Sequence, residues 1–249
     1  MTGGRSMGTR FALALASIAA LAAAPDAAAQ LYFQVNTGWS WAQNDKMTDT
    51  DTTHQTCVLA SASTVPNAPC DGTLNHLGSS WIIGAGVGYR LSHGFRVDVT
   101  YNNRSGYNLS GSDPAGSTFD PKTTANTVMA NGYYDLPVKI TDKVTPYVGG
   151  GIGRSRNKVN TITWSDSPTS SGQIPGGSTT STAWQLTLGA DIRVTQNWVI
   201  DVGYRYTDLG DLKTTGGATT GGFNNANYTT PLQGKLRANE FLLNFRYEL

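Results

Sequence analysis

From residue 31 onward apolar side chains recur at every second position, in eight blocks separated by polar connections. In the first block Leu31, Phe33, Val35, Trp39 and Trp41 alternate with Tyr32, Gln34, Asn36, Gly38 and Ser40. The second sets Trp81, Ile83, Ala85, Val87, Tyr89 and Leu91 against Ser80, Gly84, Gly86, Gly88 and Arg90. The third sets Phe95, Val97, Val99 and Tyr101 against Arg96, Asp98, Thr100 and Asn102. The fourth, around Val128, Ala130, Tyr134 and Leu136, is weaker, and the fifth, Pro146 to Gly153, is rich in glycine. The sixth (Trp184, Leu186, Leu188, Ala190, Ile192, Val194) and seventh (Trp198, Ile200, Val202, Tyr204, Tyr206) carry Asp191 and Arg193, then Asp201 and Arg205, on their opposite faces. The eighth closes with Phe241, Leu243, Phe245, Tyr247 and Leu249 against Glu240, Asn244, Arg246 and Glu248. A period of two in aromatic and β-branched residues predicts strands, and about ten residues suffice for a tilted strand to cross a bilayer.

The connections alternate in length. Ser92–Gly94, Pro137–Lys143 and Thr195–Asn197 are short, whereas Ala42–Gly78, Arg104–Thr124, Lys158–Thr180 and Asp208–Gly234 are long and rich in Gly, Ser, Thr and Asn. Short turns at one end and long loops at the other predict an all-β, eight-stranded antiparallel up-and-down transmembrane β-barrel with short periplasmic turns and long extracellular loops. No run of 18 apolar residues offers a membrane helix after the N-terminal region.

A soluble eight-stranded barrel shares this alternation but turns its apolar face inward. The aromatic residues favour the membrane reading. Trp39, Trp41, Trp81, Tyr101, Trp184, Tyr204 and Tyr206 fall toward the long-loop end of the apolar faces, and Tyr89, Phe95, Tyr134, Trp198 and Tyr247 toward the short-turn end. Two belts of amphipathic rings match two membrane interfaces. No charged residue occupies the middle of an apolar face, where a basic one would cost about 2–4 kcal/mol. The polar faces then enclose Arg90, Arg96, Asp98, Asp191, Arg193, Asp201, Arg205, Glu240 and Arg246. An eight-stranded barrel is only wide enough for its side chains, so these mixed charges are expected to form a paired structural network.

An internal similarity runs through two hairpins. Gly88–Tyr101 resembles Asp191–Tyr204, aligning Arg90 with Arg193, Phe95 with Trp198, Asp98 with Asp201 and Tyr101 with Tyr204. A true repeat and two hairpins shaped by the same membrane both account for it. The three-residue turn places Asp191 opposite Asp201, a like-charge pair whose neutralisation must come from Arg193, Arg205 or residues across the barrel.

Composition narrows the class. With 18 basic and 17 acidic residues among 249, no electrostatic footprint for nucleic acid exists. Arg5 and Arg10 precede an apolar stretch from Phe11 to Ala24, followed by small residues up to Ala29. This predicts a signal peptide over residues 1–29, cleaved between Ala29 and Gln30, and a barrel over 30–249. In an exported chain Cys57 and Cys70, the two cysteines present, are expected to form a disulfide rather than a metal site with His54. His54, His76 and His93 fall in connections, and Asp45, Asp49 and Asp51 lack the spacing and glycine of a calcium loop. Gly149–Gly151 continues as strand, so it is no phosphate cradle. No catalytic, cofactor-binding or metal-ligating set is expected.

The stretches ANGYYDLP (Ala130–Pro137), TPYVGGGIG (Thr145–Gly153), GYRYTDLGD (Gly203–Asp211) and the closing FLLNFRYEL resemble the outer-membrane β-barrel domain family of small Gram-negative surface proteins, the opacity-like, porin-family group. The resemblance implies residence in the outer membrane, a structural or surface-antigen role, and outer-membrane lipid as surroundings. It also implies that Phe245, Tyr247 and Leu249 form the terminal signal read by the barrel-assembly machinery, with leucine where phenylalanine is more usual. The expected role is non-enzymatic, with the long loops contacting host or envelope surface components. Alternatives are a narrow channel for small hydrophilic solutes, suggested by inner glycines such as Gly84, Gly86, Gly149 and Gly151, and an envelope-lipid-modifying enzyme.

Overall fold

A computed structural model describes residues 30–43, 48–49, 78–108, 111–112, 118–119, 122–138, 140–167, 170–218, 228–229 and 231–249. Eight long strands follow one another: β1 (Gln30–Ala42), β2 (Ser79–Arg90), β3 (Phe95–Asn108), β4 (Lys122–Asp135), β5 (Val144–Val159), β6 (Gly177–Arg193), β7 (Trp198–Lys213) and β8 (Leu232–Glu248). Each pairs antiparallel with its sequence neighbours, and β8 pairs back onto β1 from Tyr32↔Glu248 to Ala42↔Ala238. The sheet is a closed barrel. Closure gives every strand a partner on both sides, which is what hydrocarbon demands of a backbone it cannot hydrate.

The alternation resolves into two faces. Val35, Ile83, Ile152, Leu186 and Leu188 project outward, with Ile152 62% and Leu188 58% exposed. Tyr32, Asn36, Arg96, Asn102, Gln185, Arg205 and Glu240 project inward and are buried. At one end three short turns close the hairpins. In the first, Leu91 N donates to Phe95 O at 2.7 Å while His93 and Gly94 both take left-handed backbone, at φ 61° and 81°. Glycine takes that conformation without strain. In the third, Thr195 Oγ1 accepts from the backbone N–H groups of Asn197 and Trp198 at 3.3 and 3.0 Å.

At the other end the strands run further than the alternation in the sequence indicates. β3 continues through Arg104 to Asn108 and β7 through Asp208 to Lys213. Each passes a bulge, between Ser105 and Tyr107 and between Asp208 and Asp211, where Gly106 (φ 103°) and Gly210 (φ 78°) supply the left-handed residue. A bulge inserts one residue and exchanges the faces beyond it. Arg104 is thus inward before the first bulge and Tyr107 after it; Leu209 is inward before the second and Leu212 after it. Above the rim, Gly111–Ser112, Thr118–Phe119, Ile162–Ser167 and Ser170–Ile174 build a four-stranded sheet from two loops. Thr48–Asp49 extends the sheet at Leu232–Gln233 of β8.

The barrel wall makes one direct test. Leu188 lies midway along the apolar part of the outer row of β6, between Trp184 and Ile192, so Leu188→Arg should lower stability by about 2–4 kcal/mol in urea titrations of the barrel refolded into lipid vesicles.

Candidate functional site

The lumen is filled, and its side chains are arranged in layers. Nearest the short turns, Arg90 reaches three carboxylates: Asp135 at 2.8 Å, Glu248 at 3.1 Å and Asp191 at 3.4 Å. Arg96 Nε donates to Asp135 at 3.0 Å, and the guanidinium lies 3.6 Å from Asp191. Arg246 bonds Asp191 directly, reaches Glu248 at 3.1 Å and stands 3.7 Å from Asp201. Arg193 closes the layer at the rim, 44% exposed, holding Glu248 at 3.2 Å.

Asp191 does face Asp201 across the β6–β7 ladder. For this pair the barrel uses neither Arg193 nor Arg205: Arg246 on β8, the strand beside β7, meets both carboxylates, and Arg96 and Arg90 reach Asp191 from across the lumen. Arg193 is committed to Glu248 and Arg205 to Glu240. A one-dimensional reading of adjacent strands favours near neighbours, whereas an eight-stranded barrel brings opposite walls within side-chain reach.

The middle layer is built from amides and phenols. Tyr32 Oη donates to Asp98 at 2.9 Å, joined by Gln34 at 3.0 Å and Asn131 at 2.7 Å. Tyr147 Oη donates to Asp201 at 2.7 Å, joined by Asn244 at 3.0 Å. The two constellations correspond: tyrosines on β1 and β5, aspartates on β3 and β7, and register-paired asparagines on β4 and β8. The bulges at Gly106 and Gly210 also lie on β3 and β7. The similarity between two hairpins therefore extends over two four-strand halves. Tyr133 and Tyr147 present their rings to Arg96, at 5.1 and 4.8 Å from centroid to guanidinium carbon.

Toward the long loops lies a second ionic cluster. Glu240, fully buried, accepts from Arg104 Nε and Arg205 Nε, both at 2.6 Å, and from Ser40 and Thr207 at 3.1 and 3.2 Å. Tyr107 hydrogen-bonds Ser40 at 2.5 Å. Above this, Ala125, Val159, Leu209, Leu212, Leu232 and Leu236 are buried as an apolar cap. A carboxylate with two cations and two hydroxyls meets the requirement for a charge held away from water.

Of the nine charged residues singled out from the sequence, eight are drawn into the lumen and Arg193 stands at its mouth. Arg104 was missed because it sits in the part of β3 that reads as loop; Asp135 and Glu248 were visible on inner faces, but only the folded lumen reveals them as counter-ions. With them the plug holds Arg90, Arg96, Arg104, Arg193, Arg205 and Arg246 against Asp98, Asp135, Asp191, Asp201, Glu240 and Glu248. The formal charges balance.

The inner glycines are occupied space. A side chain added at Gly84 would meet Asn36 and Asn102, at Gly149 the Tyr133 ring, at Gly151 the Asn131 amide and at Gly189 the Tyr147 hydroxyl. At the short-turn mouth a cavity of about 310 Å³, lined by Arg90, His93, Tyr134, Asp135, Lys143 and Arg193 among others, ends at the first ionic layer.

The aromatic residues lie on the outer wall in two groups, several in edge or tilted ring contact: Trp39–Trp81 at 4.8 Å and Trp184–Tyr206 at 5.4 Å toward the loops, Phe95–Tyr134 at 4.9 Å and Trp198–Tyr247 at 5.0 Å toward the turns. Trp41, Tyr101 and Tyr204 are exposed in the upper group, and Tyr89 is half-buried in the lower. Phe245, Tyr247 and Leu249 form the outward row at the end of β8. Ala29 of the expected cleavage site, Cys57, Cys70, His54, His76, Asp45 and Asp51 lie outside the described residues. His93 is an exposed turn residue.

A closed barrel with an apolar outer wall and its charges enclosed is an integral membrane protein of the bacterial outer membrane. The chain belongs to the outer membrane protein beta-barrel domain family, whose description matches residues 11–248. It is 29% identical over 139 residues to the outer membrane protein PagN of Salmonella typhimurium, covering 54% of each chain. It is 33% identical over 144 residues to an uncharacterized protein of Brucella abortus, covering 49% of each. The chain thus spans about half the length of the curated relatives it matches. Among solved structures it resembles Neisserial surface protein A at 17% identity and a TM-score of 0.42, covering 85% of this chain and 95% of that one.

The two ionic clusters differ in what a substitution exposes. Glu240→Gln strands two buried guanidinium groups and should cost about 3–5 kcal/mol, whereas Arg193→Gln at the open rim should cost less than about 1 kcal/mol, both read from urea midpoints in vesicles.

Proposed function

We propose that this protein is a sealed, non-enzymatic barrel that anchors four long polar loops at the cell surface for contact with host or envelope components. The observation that carries the reading is the charge-balanced plug, capped by apolar side chains at the loop end. Gly84, Gly86, Gly149 and Gly151, which suggested a channel, make room for Asn36, Asn102, Thr100, Tyr133 and Asn131, so small inner residues are no mark of a pore. Polar loops rich in Ser, Thr, Asn and Gly suit a surface that hydrogen-bonds rather than one that buries. The outward terminal row Phe245, Tyr247 and Leu249 is assigned to recognition by the barrel-assembly machinery, and the Cys57–Cys70 disulfide to bracing the first long loop.

The narrow-channel reading draws support from the open cavity at the short-turn mouth. Liposome swelling separates the two: the refolded protein should leave sugar entry at background, and entry above background would favour the channel. For the contact role, cells displaying the full chain should adhere to epithelial monolayers more than cells displaying a barrel with shortened loops. Equal adherence of the two, with both barrels showing the same shift in gel mobility on boiling, would remove the role assigned to the loops.

A further inference from the structure

The outer wall is asymmetric just above its apolar band. On β5 the outward row runs Ile152, Arg154, Arg156, Lys158, all exposed, so three cations follow the last lipid-facing side chain of that strand. At a rise of about 3.4 Å per residue and a tilt of about 40°, they stand roughly 5, 10 and 15 Å above Ile152. The level of Ile152 is an interface level, because Trp184 is its register partner on β6.

On the flanking strands, among the described residues, this row faces neutral side chains. Arg154, Arg156 and Lys158 face Thr182, Thr180 and Ser178 on β6 and Val128, Asn126 and Thr124 on β4. Lys122, exposed at the start of β4, adds a fourth cation. Among the described residues, the outward positions of β4, β5 and β6 contain no Asp or Glu. On the wall of β7 and β8 acids and cations are mixed, with Arg237 opposite Asp208 and Lys235 opposite Asp211 in register, and Lys213 opposite Gln233. Two of the guanidinium groups are steadied by hydroxyls: Arg154 donates to Thr182 Oγ1 and Arg156 to Ser178 Oγ, each at 3.3 Å. Guanidinium forks match phosphate oxygens in geometry and charge.

We propose that the Arg154–Arg156–Lys158 row, with Lys122, binds the phosphate groups of the glycolipid in the outer leaflet. The cations rise from the lipid-facing side of the wall, in line with Ile152 and Trp184. That position favours a ligand held in the membrane over a soluble polyanion, which would approach from the loop tips. One face of the barrel thereby collects a shell of anionic lipid, and the mixed-charge face on β7 and β8 does not.

The test uses the purified full barrel in detergent, with bound lipid measured by native mass spectrometry. Bisphosphorylated lipid A is titrated against the wild type and against Arg154→Gln/Arg156→Gln/Lys158→Gln, with Lys213→Gln/Lys235→Gln as the control on the other wall. Each variant is first checked for the change in gel mobility on boiling, and the single Arg156→Gln substitution serves if the triple one fails that check. At about a fivefold effect per surface cation, the triple variant should bind at least tenfold more weakly, the single variant severalfold more weakly, and the control like the wild type. Dephosphorylated lipid A should bind the wild type as poorly as the triple variant binds the intact lipid. Undiminished binding by the triple variant, or equal binding of dephosphorylated lipid, overturns the proposal. Displacement of the lipid by millimolar inorganic phosphate would mark a free-anion site instead. Loss of binding to heparin beads without loss of lipid A would mark a soluble polyanion site. Either result also overturns it.

Discussion

A wall that touches hydrocarbon can leave neither a backbone hydrogen bond nor a side-chain charge open on its outer side, and the structure of this protein follows from satisfying both demands at once. Closing β8 onto β1 meets the first, because no strand then has an edge. Turning the polar faces inward meets the second, but concentrates five arginines and six carboxylates in a lumen with little room for water, with Arg193 at its mouth. The plug is therefore a consequence of the wall: the side chains excluded from lipid must find each other.

The enclosed charges are paired in shared clusters rather than in isolated couples. Three arginines share Asp191, and Glu240 collects two arginines and two hydroxyls. Such clusters are poor sources of net stability compared with an apolar core, yet expensive to break, since any deletion strands a charge. The correspondence between Tyr32–Asp98–Asn131 and Tyr147–Asp201–Asn244, together with bulges on β3 and β7, shows one four-strand arrangement used twice around the barrel. The halves then diverge. Asp98 is held by neutral donors, while Asp201 lies beside Asp191 and needs Arg246.

Outside the membrane the same wall carries a different logic. The bulges at Gly106 and Gly210 exchange inner and outer faces, so the strands continue upward with apolar residues inside as a cap and polar ones outside. At this height charge can return to the outer wall, and it does so unevenly, basic on β4 to β6 and mixed on β7 and β8. The surface that meets lipid headgroups is thus as specified as the surface that meets acyl chains.

The alternation of residues by itself determined the strand number, the side of each strand that meets lipid, the placement of the aromatic rings and the identity of most enclosed charges, because a period of two has only two faces and hydrocarbon accepts only one of them. It lost the strands at Arg104 and Asp208, since one glycine bulge in each reverses the parity on which the reading depends. It also left the partners of Asp191 and Asp201 undecided. Which arginine meets which carboxylate depends on side chains reaching beyond their own ladder, Arg246 from β8 past β7 to Asp191, and Arg96 and Arg90 from β3 and β2 across the lumen. Only the curvature and register of the closed barrel bring those walls together.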